Sequence, residues 1–554
     1  MSKHFPNLTQ GWAEPSEAVG GSVVGNQKLL ADWIGQLPLA NPEVSQRLLH
    51  KLLSEIGTMR MEPAQRAAAL EALRAPVAIV SGAVERQILG LSFPLPPGKA
   101  RVAALARDTD WLLAHGWRQV VVDWCGAAGK LPFLRGKAVA QALERALMHM
   151  GAVLEQGYLV YAEPPQRAWQ TLHALLGFAR DLGLAEKAVP DPLLDRLESS
   201  PQVRYAQACL LALGNPFRLN QREIADAARL AQVWSHQVRF GSGAAALVVD
   251  PSVDEGPGYL PEERRAVGAD TLSLDLGPLI AELDRRLAGN ADPQRLLTFN
   301  LSRAIETKAS AALVAKLRHY WQQSGERAAN RLPAGYALES VIGFKSLHTI
   351  VGANLNFAEL VLGAHADGGS AGADLESWTA ADAQRVDLVR AEVLDQSARG
   401  YRLRWSAGDA PGLKVGEVIG LGFVADPPQH RDWMVGLVRW MRIANDGQVD
   451  AGIELLARRT RAASLRALDG PIRTRAPTRA LWLDAPTEAI AAESAYGAVV
   501  SSSSVDGQSE QFELTRTPVE LSARSAPERL EFTVLARRDL AAGFTLISLG
   551  EHWR

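Results

Sequence analysis

Residues 326–343 read ERAANRLPAGYALESVIG, and residues 389–405 read VRAEVLDQSARGYRLRW. The first stretch sets Arg327 and Arg331 four apart, just ahead of the strand-like run ALESVI. The second places Asp395, Ser397 and Gly400 as D-x-S-x-x-G between two strand-like runs. Further strand-like runs follow at hairpin spacing: KVGEVIGLGF from Lys414, DWMVGLVRWMRIA from Asp432 and QVDAGIELLAR from Gln448. Short alternating strands at this spacing predict a small antiparallel β-barrel over residues 324–458. The small, acidic stretch GAHADGGSAGADL from Gly363 falls within an expected inserted loop at about 352–384.

Upstream, the pattern turns helical. Residues 1–26 are polar and glycine-bearing and predict an extended arm. From 27 to 323, apolar residues recur at helical spacing in paired segments separated by Gly, Pro or Asn, which predicts an irregular array of helical hairpins; residues 240–270 are less regular and mix a strand-like run with a Pro/Gly/acid loop. Asn41 is a capping residue before Pro42 at a first helical position. RQVVVDW (118–124) reads equally as strand or helix. The segment from Asp292 to Gly325 reads as one long helix. Downstream, residues 459–479 are strongly basic and predict a linker, and residues 480–554 predict a second small β unit. The fold class is therefore multidomain α+β: an all-α N-terminal region, then a β-barrel, then a second β unit.

Composition narrows the function. The chain has 554 residues, 47% apolar and 22% charged, with a formal net charge of −2. That balance offers no global basic field for DNA or RNA, so an anion site must be local. Cys125 and Cys209 form no disulfide framework or zinc pattern, which fits a reducing cytoplasm. The start lacks the apolar core of a signal peptide, and no run of 18 apolar residues predicts a membrane span.

The R-x-x-x-R followed by D-x-S-x-x-G, each beside a strand, with a closing GIELL strand, resembles the PilZ domain over about residues 326–458. PilZ domains are small β-barrels that bind the bacterial second messenger cyclic di-GMP. The resemblance implies that Arg327 and Arg331 hold phosphate and guanine and that Asp395, Ser397 and Gly400 read a guanine edge. Arg399, Arg402 and Trp405 are additional candidates. The chemistry is consistent. A guanidinium fork matches phosphate and the guanine O6 and N7 acceptors, and a carboxylate accepts from guanine N–H groups. The resemblance also implies a non-enzymatic receptor with no cofactor or metal. It would control motility, pili or biofilm, with the helical region contacting a protein partner.

One feature departs from the family pattern: 64 positions separate Arg331 from Asp395, so the inserted region must loop out. A misassigned first motif would leave Arg385 or Arg390 to act. The alternatives are a helical adaptor whose barrel binds no ligand, and an enzyme within residues 75–260. GAAGK (126–130) lacks phosphate-loop spacing and reads as a turn. Trp405, Trp433 and Trp440 read as barrel core.

Overall fold

The computed structural model describes residues 3–9, 15, 22–194, 197–242, 246–260, 271–289, 292–302, 306–322, 331–352, 357–362, 386–410, 412–424, 431–469, 476–484, 486–487, 490, 496–504, 510–517, 527–541 and 543–551. The chain divides into two units, Met1–Leu91 with Leu95–Glu326, and Ser92–Pro94 with Arg327–Arg554.

The first unit is built on helices α1 (Phe5–Thr9), α2 (Gln27–Gly35), α3 (Pro42–Thr58), α4 (Pro63–Ile88), α5 (Pro97–Cys125), α6 (Gly136–Leu159) and α7 (Ala168–Asp181). A small ladder of β1 (Val189–Asp191) and β2 (Leu197–Ser199) precedes α8 (Pro201–Leu213) and α9 (Gln221–Trp234). Asn41 caps α3 by accepting from the Val44 amide, as its sequence position predicts. Helix α6 lies at the centre, with Val139, Leu143, Leu147, Met150 and Leu154 buried and α5, α7, α8 and α9 against it. The ambiguous RQVVVDW run continues α5, because Trp117, Val120 and Val121 extend its buried helical stripe.

Among the described helices, α4 is long and apolar enough to cross a membrane. Here it packs against α3 and α5. Its buried Arg66 donates to the Ile56 and Met59 carbonyls at 2.7 and 2.6 Å. Its buried Arg74 meets Asp191 at 2.7 Å.

Two expectations fail in this unit. Part of the extended arm is helix α1, since Phe5 and Leu8, three apart, bury one face and Phe5 lies 5.2 Å from the Phe178 ring. Beyond α9, strands β3 (Arg239–Ser242), β4 (Leu247–Val249), β5 (Gly258–Tyr259) and β6 (Leu272–Asp275) form a sheet before α10 (Gly277–Leu287), and the strand-like run read within residues 240–270 is strand β4. The expected single long helix begins instead as the hairpin β7 (Leu296–Asn300) and β8 (Glu306–Ser310), followed by α11 (Ala311–Gln322). Leu297 and Phe299 alternate with exposed or half-buried neighbours, a two-residue period that overrides the helical reading. Phe299 packs on Trp234 at 5.0 Å.

In the second unit, β9 (Leu332–Pro333), β10 (Ala337–Ile342), β11 (Val389–Ser397), β12 (Gly400–Trp405), β13 (Val418–Phe423), β14 (Met434–Ile443) and β15 (Val449–Ala457) form an antiparallel sheet in the order β10-β13-β14-β15-β12-β11-β9. Pairing of β10 with β11 closes it. A closed barrel of β16 (Thr460–Ala467), β17 (Thr478–Leu483), β18 (Tyr496–Ser501), β19 (Gln511–Arg516), β20 (Glu528–Ala541) and β21 (Phe544–Glu551) follows.

The expected basic linker is thus partly strand β16. Its Ala462, Ala463 and Leu465 are buried, and Arg461 is held by Asp484 at 2.8 Å and the Thr517 carbonyl at 2.9 Å. Between β10 and β11 run α12 (Phe344–Val351) and α13 (Phe357–Leu362), so the inserted region contains helix where a loop was expected. The stretch 363–375 lies outside the described residues. Leu347 and Val351 of α12 and Phe357, Leu360 and Val361 of α13 share one core with Val418 and Leu437 of the first barrel and Leu481, Val499 and Leu546 of the second.

Candidate functional site

The 64-residue gap between the motifs is closed by strand pairing. Leu332 and Pro333 lie opposite Gln396 and Asp395. Ala337 to Ser340 run opposite Glu392 to Val389. The Ala334 amide donates to the Leu394 carbonyl at 3.1 Å, and the Val393 amide donates to the Tyr336 carbonyl at 2.8 Å. Residues 344–388 lie in sequence between the two strands, β10 and β11, that pair here. At the head of the clip, Arg331 Nη1 donates to Asp395 Oδ1 at 2.6 Å. The second arginine of R-x-x-x-R therefore meets the aspartate of D-x-S-x-x-G. Arg327 lies outside the described residues, as does Arg385. Arg390 is exposed opposite Glu339, outside this contact.

The turn itself is tightly specified. Ser397 Oγ accepts from the Arg399 amide at 3.3 Å and donates to the Gly400 carbonyl at 3.4 Å. A Cβ on Gly400 would lie 1.9 Å from the Ile453 carbonyl oxygen of β15. Only glycine lets β12 approach that closely.

Alternation along β12 sorts its candidates. Tyr401, Leu403 and Trp405 point inward, while Arg402 and Arg404 are half-buried on the outer face. Trp405 is fully buried and its indole N–H donates to Ser340 Oγ at 3.0 Å. This removes Trp405 from the ligand candidates, because its position in the strand turns it to the core. Arg399 is exposed at the turn. Arg402 meets Asp450 Oδ2 at 2.7 Å, and Arg404 grips both oxygens of the same carboxylate at 2.6 and 2.9 Å. Burial alone would raise the Asp450 pKa. Hydrogen bonds from Arg404 and then Arg402 outweigh it and hold the carboxyl below its ordinary value.

One row crosses five strands in register: Pro333, Asp395, Arg402, Gly452 and Trp440. A register shift between Val438 and Trp440 brings Trp440 out of the core. Its ring covers Gly452, where a Cβ would fall 1.9 Å from the indole nitrogen, and lies 5.8 Å from the Arg402 guanidinium carbon. The outer face thus presents guanidiniums, a carboxylate and an aromatic plane side by side. That set can hold a planar, anionic ligand with donor and acceptor edges.

The model of the N-terminal domain of cyclic-di-GMP receptor FimW matches residues 28–245. The model of that receptor's middle PilZ domain matches residues 246–382 and 368–461. The chain belongs to the FimW family. The cyclic-di-GMP receptor FimW of Pseudomonas aeruginosa is 24% identical over 532 residues, covering 88% of this chain and 86% of that protein. The middle FimW match begins at residue 246, upstream of the barrel, and ends just inside β16.

Within this FimW-type barrel, sequence reasoning missed two residues of the face, Trp440 and Asp450. Asp450 was legible in principle. It sits in VDAGIELL, where alternation places Val449 and Ala451 inward and Asp450 outward. Trp440 was not, because its orientation depends on the bulge. Among the described residues, no cluster of His, Cys, Asp or Glu could hold a metal ion.

Proposed function

We propose that this protein is a cyclic di-GMP receptor whose ligand lies on the outer face of the first barrel. The observation that carries this reading is the Arg331–Asp395 contact, which unites two motifs 64 residues apart at one edge of the face. Membership of the FimW family supports it. On this reading Arg331 turns from Asp395 to a ligand phosphate, joined by Arg327. Asp395, freed, accepts from a guanine N1–H and N2–H, with Ser397 beside it. Trp440 stacks on the base, and Arg402 and Arg399 add positive charge. Arg331 is exposed enough to make the exchange, with 38% of its side chain open to solvent. The protein works in the cytoplasm without catalysis, and its helical unit passes the signal to a protein partner in the control of motility, pili or biofilm.

Calorimetric titration of the full chain tests this. Cyclic di-GMP should bind, and cyclic di-AMP, which lacks the guanine O6 and N2 groups, should not. Absence of binding by both would leave a structural barrel on a helical adaptor.

A further inference from the structure

A cavity of about 420 Å³ lies in the first unit, between α4, α5 and α6, within the size range of small-molecule sites. Its walls are largely apolar, from Val77, Val84, Ile88, Ala103, Ala106 and Leu159. Polar groups converge on the middle. His149 is 5% exposed, and its Nδ1 lies 2.7 Å from Asp110 Oδ1. A carboxylate only accepts, so Nδ1 donates to it, and in the Nδ1–H tautomer Nε2 is an acceptor. Nε2 has no hydrogen-bond partner among the described residues. Gln156 donates to the other Asp110 oxygen, which leaves its own Oε1 buried and unpartnered. Ser81 Oγ is also buried and unpartnered. Arg74 Nε and Arg204 Nη2 also lack a hydrogen bond among the described residues. Buried polar atoms are normally satisfied, so five such atoms on residues lining one cavity mark a place built for a hydrogen-bonding guest.

The charges indicate which guest. Four carboxylates (Glu85, Asp110, Glu155 and Asp191) line the cavity against two guanidiniums, Arg74 and Arg204. The charge of both guanidiniums is met by carboxylates, Arg74 by Asp191 at 2.7 Å and Arg204 by Glu144 at 2.6 Å, while Arg74 Nε and Arg204 Nη2 keep unbonded N–H groups. Glu85 meets Arg229 at 3.8 Å. The surplus is therefore negative and rich in acceptors. We propose that this cavity is a binding site for a small molecule with a primary ammonium head and an apolar body. The ammonium's three N–H donors match His149 Nε2, Gln156 Oε1 and Ser81 Oγ, and the apolar walls receive the body. The Glu155 carboxyl agrees with an acidic, desolvated lining. Burial, then the neighbouring Glu85 charge, push it up to about 7.

The test titrates the full chain calorimetrically with n-octylamine, n-octanol and octanoate. It is repeated on Ala152→Phe and Gly82→Leu, which place bulk in the cavity while keeping every polar group; a Cβ on Gly82 has open space apart from the Arg86 tip at 3.7 Å. Octylamine should bind at least about tenfold more tightly than the alcohol or the carboxylate, and either variant that retains the native circular dichroism should weaken it at least about tenfold. Equal binding of amine and carboxylate would overturn the charge argument. No heat from any of the three would mean that the cavity holds only water. Unchanged octylamine binding in a folded variant would place the amine elsewhere. Each of these results defeats the proposal and leaves the cyclic di-GMP reading untouched.

Discussion

Replacing Arg331 with alanine separates a structural ion pair from a ligand contact. In the free protein the Arg331–Asp395 pair is partly open, with side chains 38% and 21% exposed. Pairs of that kind contribute about 0–1 kcal/mol. In a unit of this size a loss near 1 kcal/mol lowers Tm by about 2–4 °C. A charged hydrogen bond to the ligand contributes about 1.5–3 kcal/mol. At 1.4 kcal/mol per tenfold, its loss weakens binding by about 10- to 150-fold. The expectation is thus asymmetric: Arg331→Ala melts within a few degrees of the wild type yet binds cyclic di-GMP at least tenfold more weakly. Calorimetry and a thermal melt on the same preparation measure both quantities. A variant with near-wild-type affinity and a melting temperature more than about 5 °C lower would show that the pair serves only to pin β9 to β11. The contact between the motifs would then carry no functional weight.

Three further outcomes are expected. Trp440→Ala should weaken cyclic di-GMP binding by about 1–3 kcal/mol, the usual contribution of a base stacked on an aromatic ring; unchanged affinity in a titration would remove the ring from the site. Gly400→Ala forces a methyl group against the Ile453 carbonyl oxygen and should destabilise the second unit by up to about 3 kcal/mol in urea denaturation, whereas wild-type stability would mean that β12 can move away. Asp450→Asn tests the arginine clamp through pH. The folded pKa lies below the ordinary 3.8, so the carboxylate's contribution is full above that value and is lost as pH falls through the folded pKa. The wild type should therefore exceed the variant in stability at neutral pH, with the difference shrinking as pH falls below 3.8; a difference that does not shrink there would contradict the linkage.

The barrel and its paired motifs were legible because each signal was local and its physics alternates every two residues. D-x-S-x-x-G marks a hairpin turn, and Gly400 announces the close approach. What sequence left open was distance. Nothing in 344–388 says that two helices intervene or that Arg331 returns to Asp395, since strand register is a long-range property. Trp405 and Trp440 show the same limit from opposite sides. Both stand in apolar strands, but alternation buries Trp405 while a bulge turns Trp440 out. The Leu296–Ser310 hairpin was hidden by leucine and alanine content that suits either element, and tertiary packing of Phe299 on Trp234 decided it.

The core shared by the two barrels of the second unit bears on how this protein can be divided. The middle-domain match ends at residue 461, one position past the start of β16. Two arginines, Arg458 and Arg459, separate β15 from β16. Yet Leu481, Ile490, Val499, Leu540 and Leu546, all beyond that boundary, pack with Val341, Leu347 and Leu437 before it. The first barrel is therefore not a self-sufficient piece. Cut away at residue 461, it would expose Val341, Leu347 and Leu437 to water, an apolar face that the second barrel covers.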